Sequence, residues 1–141
     1  MSKLIEQLKR HEGVRTHAYQ CTANMTTVGV GRNIDEDGGL GLSIDEIEFL
    51  LENDIRRCKQ ELITLPWFSQ IDSVRQDALI NMCFNLGMTR LLGFKNALTA
   101  MSVGDYDTAA DEFMDSRWAK QVGRRAEEVC TMIRTGSYPE S

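Results

Sequence analysis

The feature that most constrains the fold is an apolar run near the middle of the chain. From position 78 the sequence reads ALINMCF, so apolar side chains cover nearly the whole circumference of a helix. Such a helix has to be surrounded by other elements, and we predict that residues 73–85 form the central core helix of a mostly helical domain. The 141 residues of the chain are a length typical of one compact domain.

Signals at helix ends predict the elements around this core helix. Ser43 and Glu46 form a capping box, and apolar residues then recur on one face, which predicts a long helix over residues 43–63. A first helix is expected to end near Glu12, because Gly13 is a natural left-handed stop. Three shorter helices are predicted over residues 94–102, 106–118 and 122–134.

The segment from position 19 to 31 has a different pattern. β-branched residues alternate there with small residues and glycines, which predicts a short hairpin, or a strand and turn. An acidic, glycine-rich loop, IDEDGGLGL, follows it. The fold class predicted from the residues is therefore α+β, mostly helical, with a small β-containing lobe on its N-terminal side.

Charge and cysteine usage exclude several classes of protein. The net charge of -5 argues against a nucleic-acid partner, because such binding draws on clustered Lys and Arg. The four cysteines contain no CxxC pair, so the spacing of a zinc site or redox dithiol is missing and a reducing compartment is expected. Three of them, Cys58, Cys83 and Cys130, are expected to be buried. We expect neither a signal peptide nor membrane insertion, because no apolar run is long enough.

Three residues in the N-terminal quarter suggest a catalytic constellation. Glu12, Cys21 and Thr27 are separated by eight and then five intervening residues. This spacing resembles the E-x8-(D/C)-x5-T signature of the phage-type lysozymes, glycoside hydrolase family 24. The segments TVGVGRN, INMCFNLG, SRW and RTGSY resemble family segments in the same order, so the resemblance extends over nearly the whole chain.

The resemblance implies an endolysin, a glycosidase that hydrolyses the β-1,4 bond between N-acetylmuramic acid and N-acetylglucosamine in peptidoglycan. It implies a single two-lobed domain over residues 1–141 with a cleft between the lobes. The small lobe would span about 13–45, the helical lobe about 1–12 and 64–141, and the helix over 43–63 would join them. No cofactor and no metal are expected. The enzyme would be a monomer made in the host cytoplasm, and it would act on the cell wall after release.

The resemblance also assigns catalytic roles. Glu12 would be the general acid, and at the end of a helix the negative pole of the helix dipole favours its protonated form. Cys21 stands where aspartate is commoner in the family, and it would be either the general base or a nucleophile. Thr27 would position the water. We favour the base, which predicts inversion, because a hydroxyl at Thr27 suits a water that attacks directly.

Further site residues are expected outside this constellation. Arg125, with Arg124 as its rival, would be the cationic partner of the catalytic acid. Arg32 and Asn85 are candidate substrate contacts.

One alternative from a different class is a cysteine peptidase or amidase that acts on the cell wall. It would use Cys21 as nucleophile and His17 as base, although no orienting third group is evident.

A second alternative is a calcium-binding module. Asp35, Asp37 and Glu46 occupy positions 1, 3 and 12 of an EF-hand-like loop, but position 6 lacks the required glycine.

Overall fold

Helices make up most of the chain in the computed structural model, which describes residues 2–139. The α-helices are α1 (Ser2–Glu12), α2 (Ile44–Leu62), α3 (Ser73–Leu86), α4 (Met88–Leu92), α5 (Lys95–Ser102), α6 (Tyr106–Met114), α7 (Arg117–Val122) and α8 (Arg124–Thr135). A short 3-10 helix spans Phe68–Gln70. Together with one small sheet, these elements confirm the predicted α+β, mostly helical fold class.

The chain divides into two compact units, and the boundary between Leu50 and Leu51 falls inside α2. The first unit contains α1, the sheet and the start of α2, and the second contains the remaining helices. The lobe limits expected from the sequence remain predictions.

The sheet of the first unit is antiparallel, with strand order β1-β2-β3. Its strands are β1 (Arg15–Gln20), β2 (Thr26–Gly29) and β3 (Arg32–Asn33). The predicted β element is present, but its predicted start at position 19 is four residues too late. β1 is a largely exposed edge strand, so its polar sequence RTHAYQ lacks the apolar alternation that marks a half-buried strand.

Both predicted helix-end signals of this unit are confirmed. α1 ends at Glu12, and Gly13 follows with φ +78° and donates its N–H to the carbonyl of Lys9 at 2.9 Å. At the start of α2, the hydroxyl of Ser43 accepts from the N–H of Glu46 at 3.2 Å. Glu46 Oε1 in return accepts from the N–H of Ser43 at 2.8 Å, which completes the capping box.

The hydrophobic core of the second unit forms around α3, α5, α6 and α8. α3 packs on α8, and α6 packs on both α5 and α8. Fully buried side chains include Phe68, Leu79, Met82, Phe113 and Ile133, each of which contributes roughly 1.5–3 kcal/mol by leaving water. The predicted core role of the apolar run is confirmed for Ala78, Leu79, Met82 and Cys83, whereas Phe84 remains 46% exposed.

Two helix boundaries near the C-terminus differ from those predicted. The helix expected over 106–118 is two helices, because the hydroxyl of Ser116 accepts from the N–H of Ala119 at 3.2 Å and so starts α7. The last helix starts at Arg124, not at 122, because Gly123 has φ +58° and interrupts the helical backbone. The short α4 was not expected.

The cysteine predictions agree with the structure. Cys58, Cys83 and Cys130 are buried, whereas Cys21 is only partly buried. None of the helices within residues 2–139 has the length and apolar content needed to cross a membrane.

Candidate active site

The side chain of Glu12 packs directly against the backbone of Gly31. Glu12 is the last residue of α1, and Gly31 lies in the turn between β2 and β3. A Cβ atom on Gly31 would lie only 2.7 Å from Glu12 Oε2 and 3.2 Å from Glu12 Cβ. Gly31 also has φ +68°, a conformation that favours glycine. The positive φ thus favours glycine at this position, and the absence of a side chain leaves space for the carboxylate of Glu12.

Cys21 begins a tight turn between β1 and β2. Its N–H donates to the carbonyl of Met25 at 3.0 Å, and the N–H of Asn24 donates to the carbonyl of Cys21 at 2.8 Å. Asn24 has φ +64°, which asparagine tolerates better than most residues. The turn brings the backbone N–H groups of Ala23 and Met25 to the thiol of Cys21.

These N–H groups stabilise the thiolate. The N–H of Met25, followed by that of Ala23, lowers the pKa of the Cys21 thiol below its ordinary value of 9.0. Partial burial of the sulfur opposes this shift. A larger share of Cys21 is therefore ionised at neutral pH than in an ordinary cysteine, which is the state that a general base or nucleophile needs.

Thr27 occupies the middle of the sheet. It pairs with Tyr19 on β1 and with Asn33 on β3, and it is only 3% exposed. Its Oγ1 donates to the carbonyl of Met25 at 2.9 Å. A hydroxyl carries one proton, so Thr27 cannot donate to Met25 and to the Cys21 sulfur at the same time. While it donates to Met25, its oxygen remains able to accept a hydrogen bond from water.

Arg32 forms an ion pair within the first unit. Its Nη1 donates to Glu46 Oε1 at 2.7 Å and to the carbonyl of Gly41 at 3.1 Å. The N–H of Ser43 and the guanidinium of Arg32 lower the pKa of the Glu46 carboxyl. Arg32 thus connects β3 to the capped start of α2. Its role as a substrate contact remains a prediction.

Asn85 in the second unit is oriented by a tryptophan. Its Oδ1 accepts from Trp118 Nε1 at 2.8 Å, and Trp118 is 3% exposed. Because this bond uses the carbonyl oxygen, the amide N–H groups of Asn85 remain as donors, and its role as a substrate contact remains a prediction.

Arg125 is held in place, unlike its rival Arg124. Arg125 Nε donates to Asn81 Oδ1 at 2.9 Å, and its Nη2 donates to the Asn81 carbonyl at 3.3 Å. The side chain of Arg124 is 86% exposed and pairs only loosely, at 3.6 Å, with Glu128 on the same helix. Arg125 is thus a fixed guanidinium whose bonded partner is neutral, and its role as the cationic partner of the acid remains a prediction.

The histidine of the peptidase alternative is bonded elsewhere. His17 lies on the exposed strand β1, and its Nδ1 is 3.0 Å from the hydroxyl of Thr16. A base for a cysteine nucleophile has to lie within hydrogen-bond reach of the thiol. In the part of the chain that the structure describes, the hydrogen bond of the His17 ring is the one with Thr16.

In the calcium alternative, both carboxylate oxygens of Asp35 already accept hydrogen bonds. Asp35 Oδ2 accepts from the N–H of Thr26 at 2.8 Å, and Oδ1 accepts from the N–H of Asp37 at 3.0 Å. Glu46 Oε1 accepts from the N–H of Ser43 and from the guanidinium of Arg32. Between residues 2 and 139, no group of three or more His, Cys, Asp and Glu side chains is arranged to hold a metal ion.

Sequence reasoning missed the supporting residues of the site. The contact of Gly31 with Glu12, the bond from Thr26 to Asp35 and the bonds between Arg125 and Asn81 were not expected. The only sequence signals were a glycine at the hairpin turn and an asparagine within an otherwise apolar helix.

Comparison with known proteins places the chain among lysozymes of phages and their relatives. A family model described as "Phage lysozyme" matches residues 9–133. The chain is 34% identical to an endolysin of Acyrthosiphon pisum secondary endosymbiont phage 1, over 84% of this chain and 80% of that protein. It is 27% identical to probable T4-type lysozyme 1 of Dictyostelium discoideum, over 97% and 96% of the two chains.

A third relative is much longer. The chain is 30% identical to the pre-baseplate central spike protein Gp5 of Enterobacteria phage T4 over 95% of its own length. It spans only 28% of that relative.

Proposed function

Because this chain belongs to the phage lysozyme family, and is therefore an enzyme of the lysozyme class, we propose that it is an endolysin. Its reaction would be hydrolysis of the β-1,4 bond between N-acetylmuramic acid and N-acetylglucosamine in bacterial peptidoglycan. The observation that carries the proposal is the placement of the Cys21 thiol. The backbone N–H groups of Met25 and Ala23 lower the pKa of this thiol and favour its thiolate form.

The two proposed steps of proton transfer follow from the chemistry of a glycosidic bond. The carboxylic acid of Glu12 gives its proton to the leaving oxygen, and the bond from that oxygen to the anomeric carbon breaks. The thiolate of Cys21 takes a proton from a water molecule as the oxygen of that water attacks the opposite face of the sugar. Glu12 is then ionised and Cys21 is protonated, and exchange of protons with solvent restores both.

Thr27 is proposed to hold the attacking water from the other side. Its buried position and its bond to Met25 fix the hydroxyl oxygen relative to the Cys21 turn. This arrangement suits a direct attack by water, which inverts the anomeric centre. A nucleophilic Cys21 would form a thioglycosyl intermediate and would need the water only in a second step.

The remaining site residues have supporting roles in this proposal. Arg125, held by Asn81, would stabilise the Glu12 carboxylate after it has lost its proton. Asn85 would donate its amide N–H groups to the substrate. Arg32 is retained as a weaker substrate-contact candidate, since its guanidinium is already paired with Glu46. No cofactor or metal takes part in this chemistry.

The proposed place of action is the cell wall after release from the cytoplasm of the host. We also propose that the enzyme acts as a monomer and without a nucleic-acid partner, in line with its net charge of -5.

Mass analysis of digested peptidoglycan tests this function. We expect glycan fragments with N-acetylmuramic acid at the reducing end, each heavier by one water than the anhydro product of a transglycosylase. Glu12→Gln should abolish their release, because the amide cannot donate the proton. Release of free peptides with intact glycan strands would overturn the proposal in favour of a peptidase or amidase.

A further inference from the structure

The carboxylate of Asp35 binds the backbone that carries the catalytic candidates. Asp35 follows β3 in the sequence, yet its Oδ2 accepts from the N–H of Thr26 on β2 at 2.8 Å. The N–H of Asp37 donates to the other oxygen, Oδ1, at 3.0 Å. Both oxygens of this carboxylate are thus bonded to backbone N–H groups.

Thr26 is the point where the Cys21 turn meets the strand of Thr27. It pairs across the sheet with Gln20, the residue immediately before Cys21. On its N-terminal side is Met25. The N–H of Met25 stabilises the Cys21 thiolate, and its carbonyl accepts from the N–H of Cys21 and from the Thr27 hydroxyl. On its C-terminal side is Thr27 itself. A displacement of Thr26 would therefore move both the Cys21 sulfur and the Thr27 hydroxyl, the two groups proposed to bind the attacking water.

Asp35 is itself fixed by the loop around it. Its N–H donates to Asn33 Oδ1 at 2.9 Å, and its carbonyl accepts from the N–H of Gly39 at 3.0 Å. A Cβ on Gly39 would lie 2.6 Å from the backbone nitrogen of Asp35, so the loop closes on Asp35 without room for a side chain. Asn33 in turn pairs with Thr27 across the β2–β3 ladder. The backbone of Asp35 is thus held by Asn33 and Gly39, which fixes the position from which its carboxylate binds Thr26.

The bonds from Asp35 are charge-assisted. The N–H of Thr26, and after it that of Asp37, lowers the pKa of the Asp35 carboxyl, so the group is ionised at neutral pH. Hydrogen bonds to an ionised acceptor are roughly twice as strong as those between neutral groups.

On the basis of the proposed function, we propose that Asp35 is a positioning residue of the active site. It holds Thr26 so that the Cys21 sulfur and the Thr27 hydroxyl keep the geometry needed to activate water. Asp35 does not touch the sugar in this scheme, and it acts entirely through the backbone of Thr26.

Two substitutions test this role. Asp35→Asn replaces one acceptor oxygen by an NH2 group, so one of the bound N–H groups loses its partner. Asp35→Glu keeps the charge but displaces the oxygens by about 1.5 Å, the length of one carbon–carbon bond. Asp37→Asn is the matched control, because it removes an exposed carboxylate from the same loop. Folding of each variant is checked by circular dichroism, and Asp35→Glu decides if Asp35→Asn does not fold.

The first readout is steady-state kinetics on purified peptidoglycan. Both Asp35 variants should lower kcat by about tenfold or more, since small misplacements of catalytic groups are costly, while KM stays nearly unchanged. Asp37→Asn should behave like the wild type.

The second readout is the pH dependence of alkylation of Cys21 by iodoacetamide, which a purely structural role would not change. Cys21 is the one cysteine of the four that is not buried. If Asp35 maintains the turn, Asp35→Asn should move the midpoint of this profile upward, towards the ordinary thiol value. Loss of a nearby negative charge alone would move it downward, because an anion disfavours a thiolate.

An unchanged kcat in a folded Asp35 variant, or a midpoint that stays or falls, would overturn the positioning role. This failure is distinguishable from failure of the proposed function. If the wild-type digest contains the expected glycan fragments and the Asp35 variants match the wild type in both readouts, only the role of Asp35 is misassigned. If the wild type releases no such fragments, the proposed function itself fails.

Discussion

The contact between Gly31 and Glu12 leads to a sharp prediction for Gly31→Ala. The added methyl group would lie 2.7 Å from Glu12 Oε2 and 3.1 Å from Glu12 Cδ. Both atoms belong to the flexible end of a side chain. Glu12 Cβ, at 3.2 Å, needs to shift by only a few tenths of an ångström, so the hairpin can keep its fold if the carboxylate moves away. The substitution should therefore displace the proposed acid while leaving the sheet in place.

Gly29→Ala provides a matched control within the same hairpin. Gly29 has φ +67°, almost identical to the +68° of Gly31, but a Cβ there would meet no atom within 4 Å. An alanine in this backbone region costs roughly 1–2 kcal/mol. The reduced entropy of the unfolded chain offsets about 0.4–1 kcal/mol of that cost. Both variants should therefore lose about 1 kcal/mol in free energy of unfolding.

The two variants should differ in activity. A displacement of a reacting group by about 1 Å can cost about a hundredfold in rate, equivalent to about 2.7 kcal/mol in the activation barrier. We expect a loss of this size in Gly31→Ala and a loss of less than about threefold in Gly29→Ala. Release of reducing ends from purified peptidoglycan measures the activity, and denaturant unfolding measures the stability. Equal activity losses in the two variants would refute the claim that Gly31 leaves space for the acid.

Three further predictions follow from the thiol, the capping box and an arginine. Cys21→Asp should retain much of the activity and Cys21→Ser little, because a carboxylate can accept a proton at neutral pH whereas a serine hydroxyl cannot. A fully active Cys21→Ala variant would show that Cys21 takes no part in the mechanism. Glu46 has a lowered pKa, so its contribution to stability should be fully present above about pH 5 and lost as the pH falls through that lowered pKa. Denaturant unfolding across this range should show the loss in the wild type and a smaller one in Glu46→Gln. Arg75 donates to the carbonyl of Ile133 at 2.6 Å, and its guanidinium stacks 3.7 Å over the ring of Tyr106. Arg75→Gln should therefore lower the free energy of unfolding by about 2 kcal/mol, with little effect on kcat.

Helix ends were predictable wherever a local signal determined them. Gly13 ended the first helix, and the Ser43–Glu46 box started the long one, because each signal acts within a few residues of chain. The break at Ser116 was missed although serine is a good N-cap. Apolar periodicity continued across it, and nothing in the local sequence indicates that the hydroxyl caps a new helix.

For the candidate site, the sequence predicted reacting groups but not the contacts around them. The spacing of Glu12, Cys21 and Thr27 suggests these groups through a family resemblance, and their catalytic roles remain predictions. The bond from Thr26 to Asp35 joins residues nine positions apart, and it forms only because the hairpin has one particular register. Register and close approach are properties of the folded sheet, so no local pattern predicts them.

The anomer of the first product tests most directly whether Cys21 acts as a base. NMR of a defined chitooligosaccharide or peptidoglycan glycan, recorded during the first turnovers, reports the configuration at the new reducing end before it equilibrates. Attack by a water that Cys21 deprotonates and Thr27 holds predicts the α-anomer from the β-1,4 linkage, which is net inversion. A first product with the β configuration, which is net retention, would contradict the base role and make Cys21 the nucleophile.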